Sequence, residues 1–259
     1  SISRPRLRET RAKPPTAADC APFDAGVTLT LAGQFACGAP RTLPRSPTGE
    51  LDRYRIRLGV EFRVLGPVQV VAGSAPVDLA SGRQVRLLAC LLIAGGEVSS
   101  RDRLIDALWG EQPPATARNA LQVQVHALRR RLGAGRIVRE ASGYRLSLGP
   151  DELDLQRFER LAARGRAELA GGQAGGAAET LREALGLWRG SAYEDVRHEA
   201  FARAEVARLE ELRLAVLEDR IEADLALGRQ RELVSELEAL IAEHGSRERL
   251  SGQLMLALY

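Results

Sequence analysis

Lysine is almost missing from this chain of 259 residues, because Lys13 is the single lysine among 37 basic residues. A phosphate-binding loop of the P-loop type and a Schiff-base centre both need a lysine amine, so we expect neither after residue 13. No Ser, His and Asp residues, and no Cys and His residues, are spaced as a catalytic set. We therefore expect a protein that is not an enzyme.

Cysteine and histidine are also scarce, with three residues of each. Cys20, Cys37 and Cys90 are too far apart in the sequence for a disulfide framework or a zinc site. Neither His198 nor His244 is followed by a histidine or cysteine three or four positions later. We expect a protein of a reducing compartment, with no metal and no other cofactor.

Long apolar runs are absent as well. None approaches the ~18–20 residues that a membrane-spanning helix needs, and no apolar segment of a signal peptide follows the basic start of the chain. Aromatic residues make up 4% of the chain, so its cores should rest on Leu, Val and Ala. These observations favour a cytoplasmic protein without a membrane partner.

Charge is divided unevenly along the chain. The first 59 residues carry a net charge of +5, residues 60–149 carry +5, and residues 150–259 carry −7. A basic region followed by an acidic one is typical of a nucleic-acid module joined to a module with another role.

The first 59 residues contain seven prolines and keep no helical or strand period, which predicts disorder. The chain starts at Ser1, and its character changes abruptly at Val60. We hypothesise that Val60 is the natural start, read from a GTG codon, so that the preceding residues are a mis-annotated extension. The alternative is a genuine, disordered basic tail.

Residues 60–149 predict a winged-helix DNA-binding domain of small strands, three helices and a hairpin. Ser81 and either Ser99 or Ser100 are predicted helix N-caps. In chain order the predicted elements are strands over Phe62–Val71 and Ala75–Leu79, helices over Gln84–Ala94 and Arg101–Trp109, a loop at Gly110–Pro114, a helix ending near Leu132, and hairpin arms at Ile137–Arg139 and Tyr144–Leu148.

The third helix carries the strongest functional signal. Leu121, Val125, Leu128 and Leu132 recur at helical spacing and should pack on the core, while the remaining faces are polar and basic. A solvated surface helix is the other interpretation, but the helix before it and the basic hairpin after it favour DNA binding.

We expect the sides of this helix to differ in function. The strip expected opposite the core, facing the floor of the major groove, is Ala120, Val123, Gln124 and Ala127. The residues expected beside it, mainly on phosphates, are Asn119, His126, Arg129 and Arg130. The predicted set of DNA-binding residues also includes Arg118 and Gln122 on the helix and Arg136, Arg139 and Arg145 on the hairpin, where one arginine could enter the minor groove.

From residue 150 onward the sequence predicts almost continuous helix, arranged as pairs typical of a tetratricopeptide-like array. Trp188 and Tyr193 should pack between helices. In chain order the predicted helices begin at Asp154, Ala177, Glu199, Glu232 and Glu248. The last helix would leave an apolar face uncovered at Tyr259, so we expect the natural protein to continue.

Several motifs resemble the Streptomyces antibiotic regulatory protein family over about residues 60–259. The most specific are LW-G-x-x-P-P ahead of LQ-V-x-V, GY-R-L in the hairpin, and LWRG followed by Tyr-Glu-Asp. The wider matching stretches are VEFRVLGPVQV, LLACLLIAGGEVSSRDRLIDALWGEQPPATARNALQVQVHALRRRLG, IVREASGYRL and DLQRFERLAARGRAELAGGQAGGAAETLREALGLWRGSAYEDV.

The resemblance implies an OmpR-like winged helix joined to a bacterial transcriptional activation domain. It implies an activator of secondary-metabolite genes that binds direct repeats near promoters as a dimer on double-stranded DNA and recruits RNA polymerase holoenzyme. Ala115–Leu132 becomes the recognition helix, and Glu140 stands where related regulators carry a wing arginine. The loop expected to face polymerase is Trp109, Gly110, Glu111, Gln112, Pro113 and Pro114.

The second hypothesis treats the helical half as the main module. In that case the chain is the N-terminal part of a larger signalling ATPase regulator, the helices form a protein-interaction scaffold, and DNA binding is secondary. A Walker lysine downstream of Tyr259 would favour this hypothesis, and a nearby stop codon would favour the small activator.

Overall fold

A computed structural model describes residues 59–245 and 247–259; the predictions for residues 1–58 lie outside them. The described part is mostly helical with two small antiparallel sheets, which confirms the predicted fold class. No helix in it is long and apolar enough to cross a membrane. In chain order the elements are β1 (Val60–Arg63), β2 (Gln69–Ala72), β3 (Ala75–Pro76), α1 (Gly82–Ile93), β4 (Ser99–Ser100), α2 (Arg101–Trp109), α3 (Ala117–Leu132), β5 (Ile137–Arg139), β6 (Gly143–Leu146), α4 (Asp154–Ala170), α5 (Ala174–Leu185), a 3-10 turn (Glu194–Val196), α6 (Arg203–Ala226), α7 (Gln230–His244) and α8 (Glu248–Leu258).

The first sheet is an antiparallel meander of β1, β2 and β3, in which Val60 pairs with Ala72. The prediction of one strand over Phe62–Val71 is therefore wrong. The chain reverses between β1 and β2, where Gly66 has a φ of 144° that a side chain would disfavour and Pro67 has no backbone donor for a ladder.

The second sheet joins the hairpin β5–β6 to β4, and Ser99 pairs with Tyr144. Gly143 permits this pairing, because a Cβ atom there would lie 1.8 Å from the carbonyl oxygen of Ser99. The hydroxyl of the next residue, Ser100, accepts a hydrogen bond of 3.2 Å from the backbone N–H of Arg103 and caps α2, as predicted. Ser81 caps α1 in the same way. The hairpin is thus fixed to the start of α2.

The predicted apolar stripe of the third helix is confirmed. The four side chains at positions 121, 125, 128 and 132 of α3 are each at most 2% exposed. They lie in one apolar core that also contains Leu88 of α1, Leu104 of α2 and Phe158 of α4. This core fixes which side of α3 faces solvent.

The helical part departs from the prediction at several boundaries. α5 begins at Ala174, so Gly175 and Gly176 lie inside a helix, and the break falls at Gly171 and Gly172. Trp188 follows α5 and packs edge-on against Phe158, with ring centroids 5.4 Å apart. The long helix α6 begins four residues later than expected, at Arg203.

α4 begins at Asp154, as predicted, but the side chain of Asp154 does not cap this helix and instead binds the turn after β1. Its carboxylate accepts hydrogen bonds of 2.9 Å from Val64 N–H and 3.1 Å from Leu65 N–H. Burial raises the pKa of Asp154, while these N–H groups and Arg189 act in the opposite direction. The backbone N–H of Tyr193 donates to the carbonyl of Val64 at 2.8 Å. The first sheet and the helical part therefore share one framework.

Candidate nucleic-acid interface

The exposed face of α3 is the surface best suited to nucleic acid. Counting about 100° per residue, the positions farthest from the buried stripe are Asn119, Val123, His126 and Arg130. All four side chains are exposed, and Val123 is 63% exposed, which is high for an aliphatic residue. We call these four residues the α3 strip; it combines an amide, a methyl surface, an imidazole and a guanidinium.

The strip differs from the one expected from sequence. Val123 lies on it as predicted, whereas Ala120, Gln124 and Ala127 are half-buried on one flank of the helix. Gln124 lines a cleft with Arg83 of α1 and with the 3-10 turn, including Asp195 and Val196. Its predicted contact with a base remains a prediction.

Arg129 lies on the opposite flank and is turned toward the wing, the hairpin β5–β6. Its Nε donates a hydrogen bond of 2.9 Å to the carbonyl of Ile137, and its guanidinium lies 6.0 Å from the centroid of the Tyr144 ring. Arg129 therefore holds the wing against α3, whatever contact its remaining N–H groups make.

The three wing arginines differ in their surroundings. Arg136 donates two hydrogen bonds to the carboxylate of Glu152, one from Nη1 to Oε2 and one of 2.7 Å from Nη2 to Oε1. Arg145 lies 3.5 Å from the carboxylate of Glu140. Arg139 is exposed and has no ion pair within the described part of the chain.

Glu152 connects the base of the wing to the segment ahead of α4. Burial raises its pKa, but hydrogen bonds from Arg136 and from the Gly149 N–H outweigh this and lower the pKa below its ordinary value. The backbone carbonyl of Glu152 also accepts a hydrogen bond of 2.6 Å from Phe62 N–H in β1. Arg136 is therefore an anchor of the wing, and its predicted DNA contact would need this pair to open.

Three other arginines complete the charge of α3. Arg118 and Arg130 have neither a hydrogen bond nor an ion pair among the residues of known placement, so their guanidinium groups are available to phosphates. Arg131 instead binds Asp78, through its carbonyl oxygen and, at 3.7 Å, its carboxylate.

The loop between α2 and α3 is exposed from Gly110 to Thr116, and Gly110 has a φ of 60°. Trp109 is half-buried and packs against the core, so it anchors the loop. α3 begins at Ala117, whereas the resemblance implied a helix that starts at Ala115. A contact of this loop with polymerase remains a prediction.

Arg83 is a basic residue of this surface that the sequence did not single out. It is exposed in the first turn of α1 and lines the same cleft as Gln124. An arginine two residues after the predicted N-cap Ser81 was a signal that could have found it, because a helix N-terminus with a basic side chain favours phosphate. Within residues 59–245 and 247–259, no group of three or more His, Cys, Asp and Glu side chains could hold a metal ion.

Two family models match the chain. One is described as "Transcriptional regulatory protein, C terminal" and matches residues 75–146; the other is described as "Bacterial transcriptional activator domain" and matches residues 153–259.

Similar proteins are found in Streptomyces and Mycobacterium. The chain is 38% identical over 211 residues to the regulatory protein DnrI of Streptomyces peucetius, covering 77% of this chain and 78% of DnrI. It is 39% identical over 227 residues to the regulatory protein AfsR of Streptomyces coelicolor, covering 86% of this chain and 22% of AfsR. The chain thus spans about a fifth of the AfsR relatives' length.

A solved structure shows the same fold. It is Mycobacterium tuberculosis EmbR in complex with a low-affinity phosphopeptide, with a TM-score of 0.73 and 34% sequence identity over 77% of this chain and 54% of EmbR.

Proposed function

The chain belongs to the Streptomyces antibiotic regulatory protein family, and on that premise we propose that it is a sequence-specific DNA-binding activator of transcription. The observation that carries this proposal is the α3 strip. It exposes Val123 and Arg130 on the solvent side of a helix whose opposite side is held in the core.

In this proposal α3 enters the major groove of double-stranded DNA. Val123 contacts thymine methyl groups, Asn119 and His126 bind base edges or phosphates, and Arg118 and Arg130 bind phosphates. Arg139 on the wing lies at the backbone or in the minor groove. Arg129, which is already bonded to Ile137, fixes the distance between α3 and the wing.

The proposed target is a promoter of a secondary-metabolite gene cluster, in which two copies of the protein occupy a direct repeat side by side. The loop from Gly110 to Pro114 is exposed next to α3 and is offered as the contact with RNA polymerase holoenzyme. The Tyr193 turn and Asp154 hold the helical part on the first sheet, so this part would reach polymerase from a fixed position on the DNA.

DNase I footprinting on the promoters of the neighbouring gene cluster tests the proposal. We expect protection of two equally oriented half-sites. In a gel-shift, the Arg129→Ala, Arg130→Ala double variant should lose affinity for all sequences, with Arg231→Ala, an exposed arginine of α7, as the matched control. Unchanged binding by the double variant would contradict the proposed face.

The larger regulator remains a second proposal, because the AfsR relatives are about five times longer than the matched segment. DnrI, of which the chain covers 78%, favours the small activator instead. The complete gene sequence discriminates between them: a downstream P-loop lysine would support the larger ATPase regulator, and a stop codon within about 30 residues of Tyr259 would rule it out, since a further domain needs ~50–250 residues.

A further inference from the structure

A pocket of about 390 Å³ lies between the first sheet and the C-terminal half of α3. Ligand sites in proteins are typically ~300–1,000 Å³. Its lining combines apolar side chains of the first sheet and α3 with a carboxylate, an amide and two guanidinium groups. The polar lining residues are Asp78, Gln84, Arg130 and Arg131, and the apolar ones include Val70 of β2 and Ala127 of α3.

Gln84 is the unusual member of this lining. Its side chain is buried, with 6% of the residue exposed, and its Oε1 has no hydrogen-bond partner among the residues whose placement is described. A buried amide without a partner costs free energy, so native proteins normally satisfy it with protein, water or ligand. A hydroxyl group bound in the pocket would satisfy Oε1 of Gln84 by donating a hydrogen bond to it.

The charged groups of the pocket favour a single negative charge. Asp78 is matched by Arg131, at 3.7 Å between carboxylate and guanidinium. Arg130 is exposed, and among the described residues it has no ion pair. One guanidinium thus remains for an anionic ligand, and a planar carboxylate suits its paired N–H groups.

We propose that this pocket binds a small carboxylic acid with an apolar body and a hydroxyl group. The carboxylate pairs with Arg130, the body packs against the valines of the sheet and against Ala127, and the hydroxyl donates to Gln84. Resting on the function proposed above, a second consequence follows: Arg130 belongs to the α3 strip, so the same guanidinium cannot bind the ligand and a DNA phosphate at once. The ligand therefore releases the protein from DNA.

The probe for the test is 6-hydroxy-2-naphthoate, titrated into the full chain without DNA by isothermal titration calorimetry. It carries a carboxylate and a hydroxyl at opposite ends of an apolar body. We expect binding about tenfold tighter than that of 2-naphthol, which lacks the carboxylate, and about threefold tighter than that of 2-naphthoate, which lacks the hydroxyl.

Three variants locate the site. Ala127→Leu fills the pocket with a larger side chain of similar helix propensity, so it should abolish binding of the probe. Arg130→Gln should weaken it about tenfold, the loss expected for one charge-assisted pair. Gln84→Leu should remove the preference for the hydroxylated probe over 2-naphthoate. Arg118→Gln, an exposed arginine of α3 outside the pocket lining, is the control and should bind the probe like the wild type.

Failure to bind the probe, or equal binding by wild type and Ala127→Leu, would overturn the site. For the coupling, a probe concentration ten times its Kd should raise the apparent Kd for DNA about elevenfold if the two exclude each other. An unchanged DNA affinity would overturn the coupling and leave the site intact. Absence of DNA binding without the probe would overturn the proposed function and leave the calorimetric result standing.

Discussion

The Nε atom of Arg129 donates a hydrogen bond of 2.9 Å to the carbonyl oxygen of Ile137, which joins the last turn of α3 to the first strand of the wing. Its neighbour Arg130 points to solvent on the α3 strip. Two adjacent arginines that look alike in the sequence therefore have different functions. In the proposed function, Arg129 sets the geometry of the DNA-binding surface and Arg130 supplies part of its charge.

This difference predicts distinct effects of two single substitutions. Arg129→Ala should lower the free energy of unfolding by about 1–2 kcal/mol, because a hydrogen bond with a charged donor is lost. Arg130→Ala should change it by less than about 0.5 kcal/mol, as expected for an exposed residue. Urea denaturation of both variants measures this; equal destabilisation would contradict the assignment.

The salt dependence of DNA binding separates the same residues. Arg130→Ala should weaken binding to specific and random DNA alike and reduce the slope of log K against log salt by about one, since one phosphate contact is lost. Fluorescence anisotropy at several salt concentrations measures the slope. Arg231→Ala on α7 is the matched control, and a slope reduced equally by that variant would argue against a phosphate contact of Arg130.

The exposed position of Val123 leads to the prediction that DNA affinity depends on a single thymine methyl group. If Val123 packs against a thymine methyl, replacing that thymidine by deoxyuridine should weaken binding of the wild type by about 0.8 kcal/mol, the value of one buried methyl-sized group. The same replacement should have no effect on Val123→Ala. A double-mutant cycle over each thymine of the footprint finds the contact; additive losses at every position would show that Val123 touches none.

The ion pair between Glu152 and Arg136 should make the free energy of unfolding depend on pH in the acidic range. Its lowered pKa means that the folded protein favours the ionised carboxylate, so the pair with Arg136 contributes its full stability above pH 4.5. That contribution is lost as the pH falls through the lowered folded-state value. We expect Glu152→Gln to be less stable than the wild type by about 1–2 kcal/mol at pH 7, with a difference that shrinks in acid.

Thermal unfolding between pH 7 and pH 3 measures this difference. Glu140→Gln is the matched control, because its partner Arg145 is farther away, at 3.5 Å, and both side chains are more than a third exposed. If Glu152→Gln and the wild type kept a constant difference across this range, the pair would not be the cause.

Gly165 and Leu181 are in such close contact that the effect of a substitution at one should depend on the residue at the other. A Cβ atom at this position of α4 would lie 2.5 Å from Cγ of Leu181 on α5. Gly165→Ala should therefore cost about 1–3 kcal/mol of overpacking, even though alanine favours helix. In a Leu181→Ala background the same substitution should be neutral or stabilising. Urea denaturation of the four proteins measures the coupling, and a full cost in both backgrounds would show that the two helices do not meet here.

Local patterns in the sequence were sufficient for much of the fold. The stripe of Leu121, Val125, Leu128 and Leu132 predicted both the helix and its buried side, because helical periodicity and burial are local consequences of side-chain order. The serine caps at Ser81 and Ser100 were readable for the same reason. Gly66 and Pro67 also favour a turn. The apolar residues alternate on both sides of this turn, however, so the segment was predicted as one strand.

The sequence by itself determined that α3 has an apolar side and a basic side, that a hairpin follows it, and that the chain belongs to its family. Only the tertiary structure decided which arginines are free. Arg129 and Arg136 are held by Ile137 and Glu152, while Arg130 is not paired within the described residues. Likewise, Asp154 binds Val64, 90 positions away. Composition and periodicity do not specify such partners, because a hydrogen bond depends on the position of two atoms in space, which only the packed core fixes.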